Sequence, residues 1–226
     1  SDVARKIAHE IKNPLTPIKL SIDRLKNKTN KGMSISETEV IDTMDTINRQ
    51  VDDIKNLVDE FSNFARMPAP NMKKYNIKDI VVNAISLFDL KSNKIVIDLD
   101  KKSLDHSIKC DESQINRVLN NLIINSIHSI ESKYKNESGG TIYIGASLND
   151  NYLKIKIFDN GQGLSHKEED LLKPYFSTKE KNIGTGLGLS IVEKIISEHG
   201  GNFHIYNLED KSGACSEFTL KLTNDW

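Results

Sequence analysis

The chain has 226 residues, of which 37% are hydrophobic and 28% charged, a balance that fits one or two folded domains and excludes wholesale disorder. Lys+Arg is 31 against Asp+Glu 32, a formal charge of -1, so no bulk attraction to nucleic acid or to an anionic bilayer follows. No apolar run approaches the ~18–20 residues that span a bilayer. Cys110 and Cys215 make no disulfide framework, which favours a reducing compartment. The chain begins at Ser1 inside an amphipathic pattern and is expected to be a piece of a longer protein.

Ala4, Ala8, Ile11, Leu15, Ile18, Ile22 and Leu25 alternate steps of four and three, the seam of a helix packed lengthwise on another. A polar stretch, Asn27 to Ser36, follows. The rhythm returns at Val40, Met44, Ile47, Val51, Ile54, Val58, Phe61 and Ala65. Two helices of about 28–30 residues, each about 42–45 Å long, would form an antiparallel hairpin. Apolar residues beside the seam (Ile7, Ile41, Leu57, Phe64) would stay partly wet in two helices and be buried in a dimeric four-helix bundle. A plain coiled-coil stalk fits the periodicity as well. Pro14 and Pro17 speak against a plain stalk, because each costs around 3 kcal/mol inside a helix. They follow His9, which stands one residue past the seam and is expected to face solvent beside a kink, with Glu10 next to it and Asn13 one turn on.

Pro68, Ala69 and Pro70 mark a linker, dividing the chain into a hairpin over 1–67 and a second domain over 68–226. In that domain helices are expected over Asp79–Leu90, Asp111 to about Ser132 and Leu187–Glu198. Strands are expected over Lys94–Leu99, Thr141–Leu148, Tyr152–Phe158, Asn202–Tyr206 and Ser216–Leu222. The mixture reads as α+β, an α/β sandwich with helices on one face of a mixed or antiparallel sheet.

Four features here point to one chemistry. Asn121 and Asn125 lie i, i+4 on the polar face of the long helix, and an uncharged amide oxygen suits Mg²⁺ beside phosphates; solvated amides fit equally. Asp159-Asn160-Gly161-Gln162-Gly163 follows a strand, where a carboxylate can accept from an exocyclic amine while the backbone stays close to a planar base; an ordinary turn fits too. Gly184-Thr185-Gly186-Leu187-Gly188-Leu189 opens a helix with exposed backbone N–H groups, an anion site without the spacing of a P-loop or a dinucleotide fingerprint. Leu164 to Ile183 has the form of a lid, or of a surface loop.

Assembled, these residues resemble the catalytic core of the bacterial sensor histidine kinases, over nearly the whole chain. His9-Glu10-Ile11-Lys12-Asn13-Pro14-Leu15 resembles the H box and Asn121-Leu122-Ile123-Ile124-Asn125 the N box. Asp159 to Leu164 resembles the G1 box, Tyr175-Phe176-Ser177-Thr178-Lys179 the F box, and Gly184 to Ser190 the G2 box. The flanks, Ile7 to Leu25 and Val58 to Pro68, are similar to the NtrY type of nitrogen-regulation kinase. The chain departs from the family after Asn125, where Ser126, His128 and Ser129 replace the usual small-acidic-small run.

The resemblance implies a homodimer through the hairpin and an ATP-binding domain of the type shared with Hsp90, MutL and gyrase. It also implies a response-regulator receiver domain as partner, NtrX-like if the NtrY likeness holds. The intact protein would be an inner-membrane-anchored sensor, of which this is a cytoplasmic part without membrane contact of its own. ATP and Mg²⁺ are the implied cofactors. Asp159 would read adenine, with Gly161 and Gly163 letting the backbone approach. Asn125, assisted by Asn121, would hold Mg²⁺. Gly186, Leu187, Gly188 and Leu189 would cradle phosphate beside Gly184 and Thr185, and Lys179 would offset charge. His9 would be the nucleophile, Glu10 its proton acceptor, and Asn13 a group that positions water to dephosphorylate the partner. A chaperone-type ATPase, a serine kinase on the same pocket and a pseudokinase remain as alternatives.

Overall fold

The structure is a computed structural model that describes residues 2–65, 67–88, 94–135, 137–173, 186–209 and 213–222, excluding the side chains of 2–7, 9, 10, 60, 61 and 63–65. The described backbone resolves into two compact units, Ser1–Met67 and Pro68–Trp226.

The first unit is two long helices, α1 (Asp2–Asn30) and α2 (Glu37–Ala65). Helix α1 runs uninterrupted through Pro14 and Pro17. The hydroxyl of Thr16 bonds back to the carbonyl of Lys12 at 3.1 Å. The turn is set by Ser36, whose Oγ accepts from the N–H of Glu39 at 3.2 Å in the Ser-x-x-Glu pattern of a helix start. Glu39 in turn pairs with Lys28 across the loop. Thr43 and Leu57 are buried between the helices. Leu15, Ile22, Met44, Val51 and Val58 are about half exposed. The apolar surface is thus two stripes, one closing the hairpin and one facing outward.

The second unit is α+β. Strand β1 (Lys73–Asn76) pairs antiparallel with β3 (Ser107–Cys110) in a small sheet. Five strands, β2 (Ile95–Leu99), β4 (Gly140–Asn149), β5 (Tyr152–Asp159), β6 (Phe203–Asn207) and β7 (Ala214–Lys221), form the main sheet in the order β2-β4-β5-β7-β6. The β2–β4 pair is parallel and the others antiparallel, so the sheet is mixed. Helices α3 (Ile77–Ser86), α4 (Glu112–Tyr134) and α6 (Gly188–Glu198) carry the apolar faces that cover it, and α5 (Glu168–Leu171) is one short turn. Alternation explains the burial. Leu153, Ile155, Ile157 and Asp159 on β5 turn inward, against Ile115, Val118, Leu119, Leu122 and Ile123 of α4.

The long helix is fixed at both ends. Asp111 caps α4 by accepting from the N–H of Gln114 at 3.1 Å, and Lys135 closes it in the left-handed region. His199, 5% exposed, locks α4 to α6: the N–H of Asp111 donates to Nε2 at 3.0 Å, while Nδ1 lies 2.8 Å from the carbonyl of Ile195. The acceptor role of Nε2 places the ring proton on Nδ1. Both cysteines are buried free thiols. Burial pushes the Cys110 thiol up to about 12, leaving it inert at neutral pH. Strands β1 and β3 and helix α5 lie outside the sequence expectations, because four residues hold too few alternations to stand out.

Candidate active site

Asp159 ends β5 between Ile142 of β4 and Ala214 of β7. It is 7% exposed, and its inward position is the one its strand gives to Leu153, Ile155 and Ile157. A carboxylate in that apolar slot is costly. The N–H of Gly161 donates to Oδ1 at 3.0 Å, and the hydroxyl of Ser126 to Oδ2 at 3.3 Å. Burial raises the Asp159 pKa above the usual carboxylate value, against the opposing pull of these bonds. Ser129 Oγ sits beside the same carboxyl and pulls in the same direction, yet it is shielded from solvent and makes no hydrogen bond of acceptable geometry.

The turn after β5 lies directly on α4. A Cβ at Gly161 would fall 2.2 Å from Ser129 Oγ and 2.6 Å from its backbone carbon. The N–H of Gln162 donates to the Ser129 carbonyl at 3.2 Å. Asn160 is a clamp: its side chain accepts from the N–H of Thr141 and donates to Tyr134 and Gly139, while Lys133 donates to its carbonyl. On the far side Gly213, at φ +134°, approaches so closely that a Cβ would stand 2.0 Å from the Asp159 carbonyl oxygen. Asn207 at the end of β6 binds both the N–H and the carbonyl of Leu164, at 2.7 and 2.9 Å.

Helix α4 also carries Asn121 and Asn125, both partly exposed. Asn121 Nδ2 donates to the Arg117 carbonyl at 2.9 Å. Its Oδ1 faces α6, 3.0 Å from where a Cβ of Gly188 would be. Gly186 has φ +71°, Leu187 is buried, and α6 starts at Gly188 with no side-chain cap from Leu187, leaving the helix start open to an anion. One helix therefore touches the Asp159 turn with Ser126 and Ser129 and the start of α6 with Asn121.

Of the other expected residues, Asn13 is half-buried on α1, while His9 and Glu10 are helical with side chains outside the described residues. Lys179, Gly184 and Thr185 lie outside them as well, as does the whole F-box segment. The described start of the expected lid, 164–173, is bound to the sheet. Beyond the Asn207 clamp, Glu168 accepts from the N–H of Ile205 at 2.9 Å, capping a donor of edge strand β6. Neither Asn207 nor Glu168 was marked by any local pattern, since their partners are 43 and 37 residues away.

Residues 110–224 match the model of the family described as histidine kinase-, DNA gyrase B-, and HSP90-like ATPase, and residues 1–70 match that of the His Kinase A (phospho-acceptor) domain. The chain belongs to the first family, the ATPase fold shared by histidine kinases, and its first 70 residues match the phospho-acceptor domain, so it carries both parts of a histidine kinase core. It is 41% identical over 224 residues to the nitrogen regulation protein NtrY of Azorhizobium caulinodans, and 37% identical over 223 residues to a putative NtrY-like sensor histidine kinase of Rickettsia typhi. Each alignment covers 98% of this chain but only 28% and 36% of the relative, so the chain spans a minor part of these proteins. Among solved structures, the histidine kinase ThkA in complex with the response regulator TrrA is similar with a TM-score of 0.72 at 25% identity, over 99% of this chain and 62% of that one. No described helix is long and apolar enough to cross a membrane.

Proposed function

We propose that this chain binds ATP with Mg²⁺ in the pocket above Asp159, autophosphorylates on His9, and passes the phosphoryl group to an aspartate of a response-regulator receiver domain. The observation that carries the reading is the base end of the pocket. A buried carboxylate and a turn that admits only glycine against α4 together fit a planar heterocycle that brings an amine.

In this reading Asp159 accepts from the adenine amino group, and Gly161 and Gly163 keep the backbone close to the ring. The N–H groups from Gly186 to Leu189 bind phosphate at the positive end of α6. Lys179, Gly184 and Thr185 complete the phosphate side. Asn125, assisted by Asn121, would hold Mg²⁺, since amide oxygens are hard ligands suited to it. When bound, the metal neutralises phosphate charge in transfer. A neutral ring nitrogen of His9 attacks the terminal phosphorus, and the bond to the ADP oxygen breaks. Glu10 takes the ring proton, and ADP leaves with the bonding pair. Asn13 positions water when the phosphorylated partner is hydrolysed. The hairpin is the dimerisation element and the phospho-acceptor, and residues 68–226 the catalytic domain. Support for an NtrX-like partner and for attachment to the inner membrane comes from the NtrY likeness alone.

The test is incubation with γ-labelled ATP and Mg²⁺, followed by acid and base treatment and peptide mapping. Acid-labile, base-stable label on the peptide containing His9 is expected, lost in His9→Gln while nucleotide binding survives. Label retained on that variant removes His9 from the reaction, and label released only as free phosphate makes the chain a hydrolytic ATPase.

A further inference from the structure

Ser126 and Ser129 stand where the resembling kinases carry small residues, and both point at one carboxyl group. They are three positions apart on α4 and so share a face. Ser126 is 4% exposed, and its hydroxyl meets Asp159 Oδ2 at 3.3 Å. Ser129 Oγ is shielded from solvent, covered by the Gly161 turn, and beside the same carboxyl, whose pKa it pulls down. A shielded hydroxyl needs a partner, and the carboxyl is the acceptor at hand. We propose that Ser126 and Ser129 are positioning residues that hold Asp159 in its acceptor-only form, so that the base pocket takes an amino-purine and refuses an oxo-purine. The proposal rests on the reading above, in which Asp159 faces the base.

The chemistry follows from donor and acceptor counting. An ionised carboxylate has no proton to give. It accepts from the 6-amino group of adenine and is repelled by the 6-oxo group of hypoxanthine or guanine. A protonated Asp159 donates to that oxo group and loses the discrimination. Burial favours the protonated form, so the charge depends on hydrogen bonds from the surroundings: the N–H groups of Gly161 and Ala214 and the two hydroxyls. The neighbouring ionisable groups do not replace them. Lys133 of α4 donates to the carbonyl of Asn160 rather than to the carboxylate. On β7, Cys215 is a buried thiol whose pKa is itself pushed up by burial. His128 of α4 is partly exposed and lies between the two serines in sequence. Strand β4 presents Thr141 and Ile142 beside Asp159, neither ionisable. Serine to alanine removes the hydroxyl and little volume, so the carboxyl loses these two donors without a cavity of consequence.

The experiment compares the full chain with Ser126→Ala, Ser129→Ala and the double variant. Calorimetric titrations use ADP and IDP, which differ at the purine C6 substituent and in the N1 proton that the oxo form carries, and which are not consumed, between pH 5 and 8. The carboxyl-carbon signal of Asp159 is titrated by NMR in nucleotide-free protein. The unsubstituted chain is expected to prefer ADP, with the preference fading on acidification. In the double variant the fading begins at higher pH, the ADP preference falls about tenfold at the acid edge, and the Asp159 titration moves up in parallel. Superimposed pH profiles and an unmoved Asp159 titration overturn the proposal. If the unsubstituted chain takes neither nucleotide, the ATP reading fails on its own. The NMR titration then still decides whether the hydroxyls hold the charge, an unmoved titration again counting against them.

Discussion

In the proposed reading Asp159 sets folding against binding. Its pKa is raised by burial, so above the folded pKa the ionised group weakens the fold, and that cost is relieved as pH falls through the folded pKa toward the ordinary aspartate value. Nucleotide binding as proposed would run the other way, since it would need the charge and be lost as pH falls through the same pKa. Asp159→Asn keeps an oxygen for the Gly161 N–H and removes the charge. The nucleotide-free variant is therefore expected to melt no lower than the parent, by differential scanning fluorimetry at pH 7. Its ATP-dependent rise in Tm should vanish. A full rise in Tm would dismiss the carboxylate as the adenine reader. Gly161 is set by contact rather than by backbone angle. In Gly161→Ala the new methyl meets the Ser129 hydroxyl and backbone at 2.2 and 2.6 Å. Overpacking of this kind costs about 1–3 kcal/mol, and a lower denaturation midpoint together with weakened nucleotide binding is the expected result. Asp159 and the glycines were legible as a strand-end cluster. The Asn207 and Glu168 clamps were not, because nothing near them in sequence hints at strand β6.

Helix α4 is the element on which the pocket is built. Its apolar positions were plain from a 3.6-residue rhythm, as was its polar asparagine face. Its anchoring was not: the His199 side chain reaches it from 88 residues away. In the hairpin the structure reverses part of the expected sorting: Leu57, expected beside the seam and partly wet, is buried, whereas the expected seam residues Met44, Val51 and Val58 are 47–58% exposed, because the seam and its flank are both apolar and only the packed helix pair decides which turns inward. An apolar stripe of that length on a two-helix unit is expected to pair with a second copy. Met44→Glu with Val51→Glu is expected to convert a dimer to a monomer in sedimentation equilibrium while helical circular dichroism is retained. A dimer that survives both charges would place the self-association elsewhere.

The two units differ in how far sequence periodicity reaches. Long helices repeat their pattern many times, so α1, α2 and α4 were each foreseen with ends within a few residues. The hairpin of β4 and β5 was equally visible, through alternation on both sides of a polar turn. Strand order was not: β7 lies between β5 and β6, and β2 joins β4 in parallel, pairings that depend on which edges remain open after the local hairpin forms. Composition, element types and the boundary near Pro68 were determined locally, because each depends on neighbours within a turn or a strand. The meeting of Ser126 with a carboxylate 33 residues away, and of Asn121 with Gly188, came from folding alone. Such contacts are set by how a helix seats on a sheet, and no spacing along the chain encodes that distance.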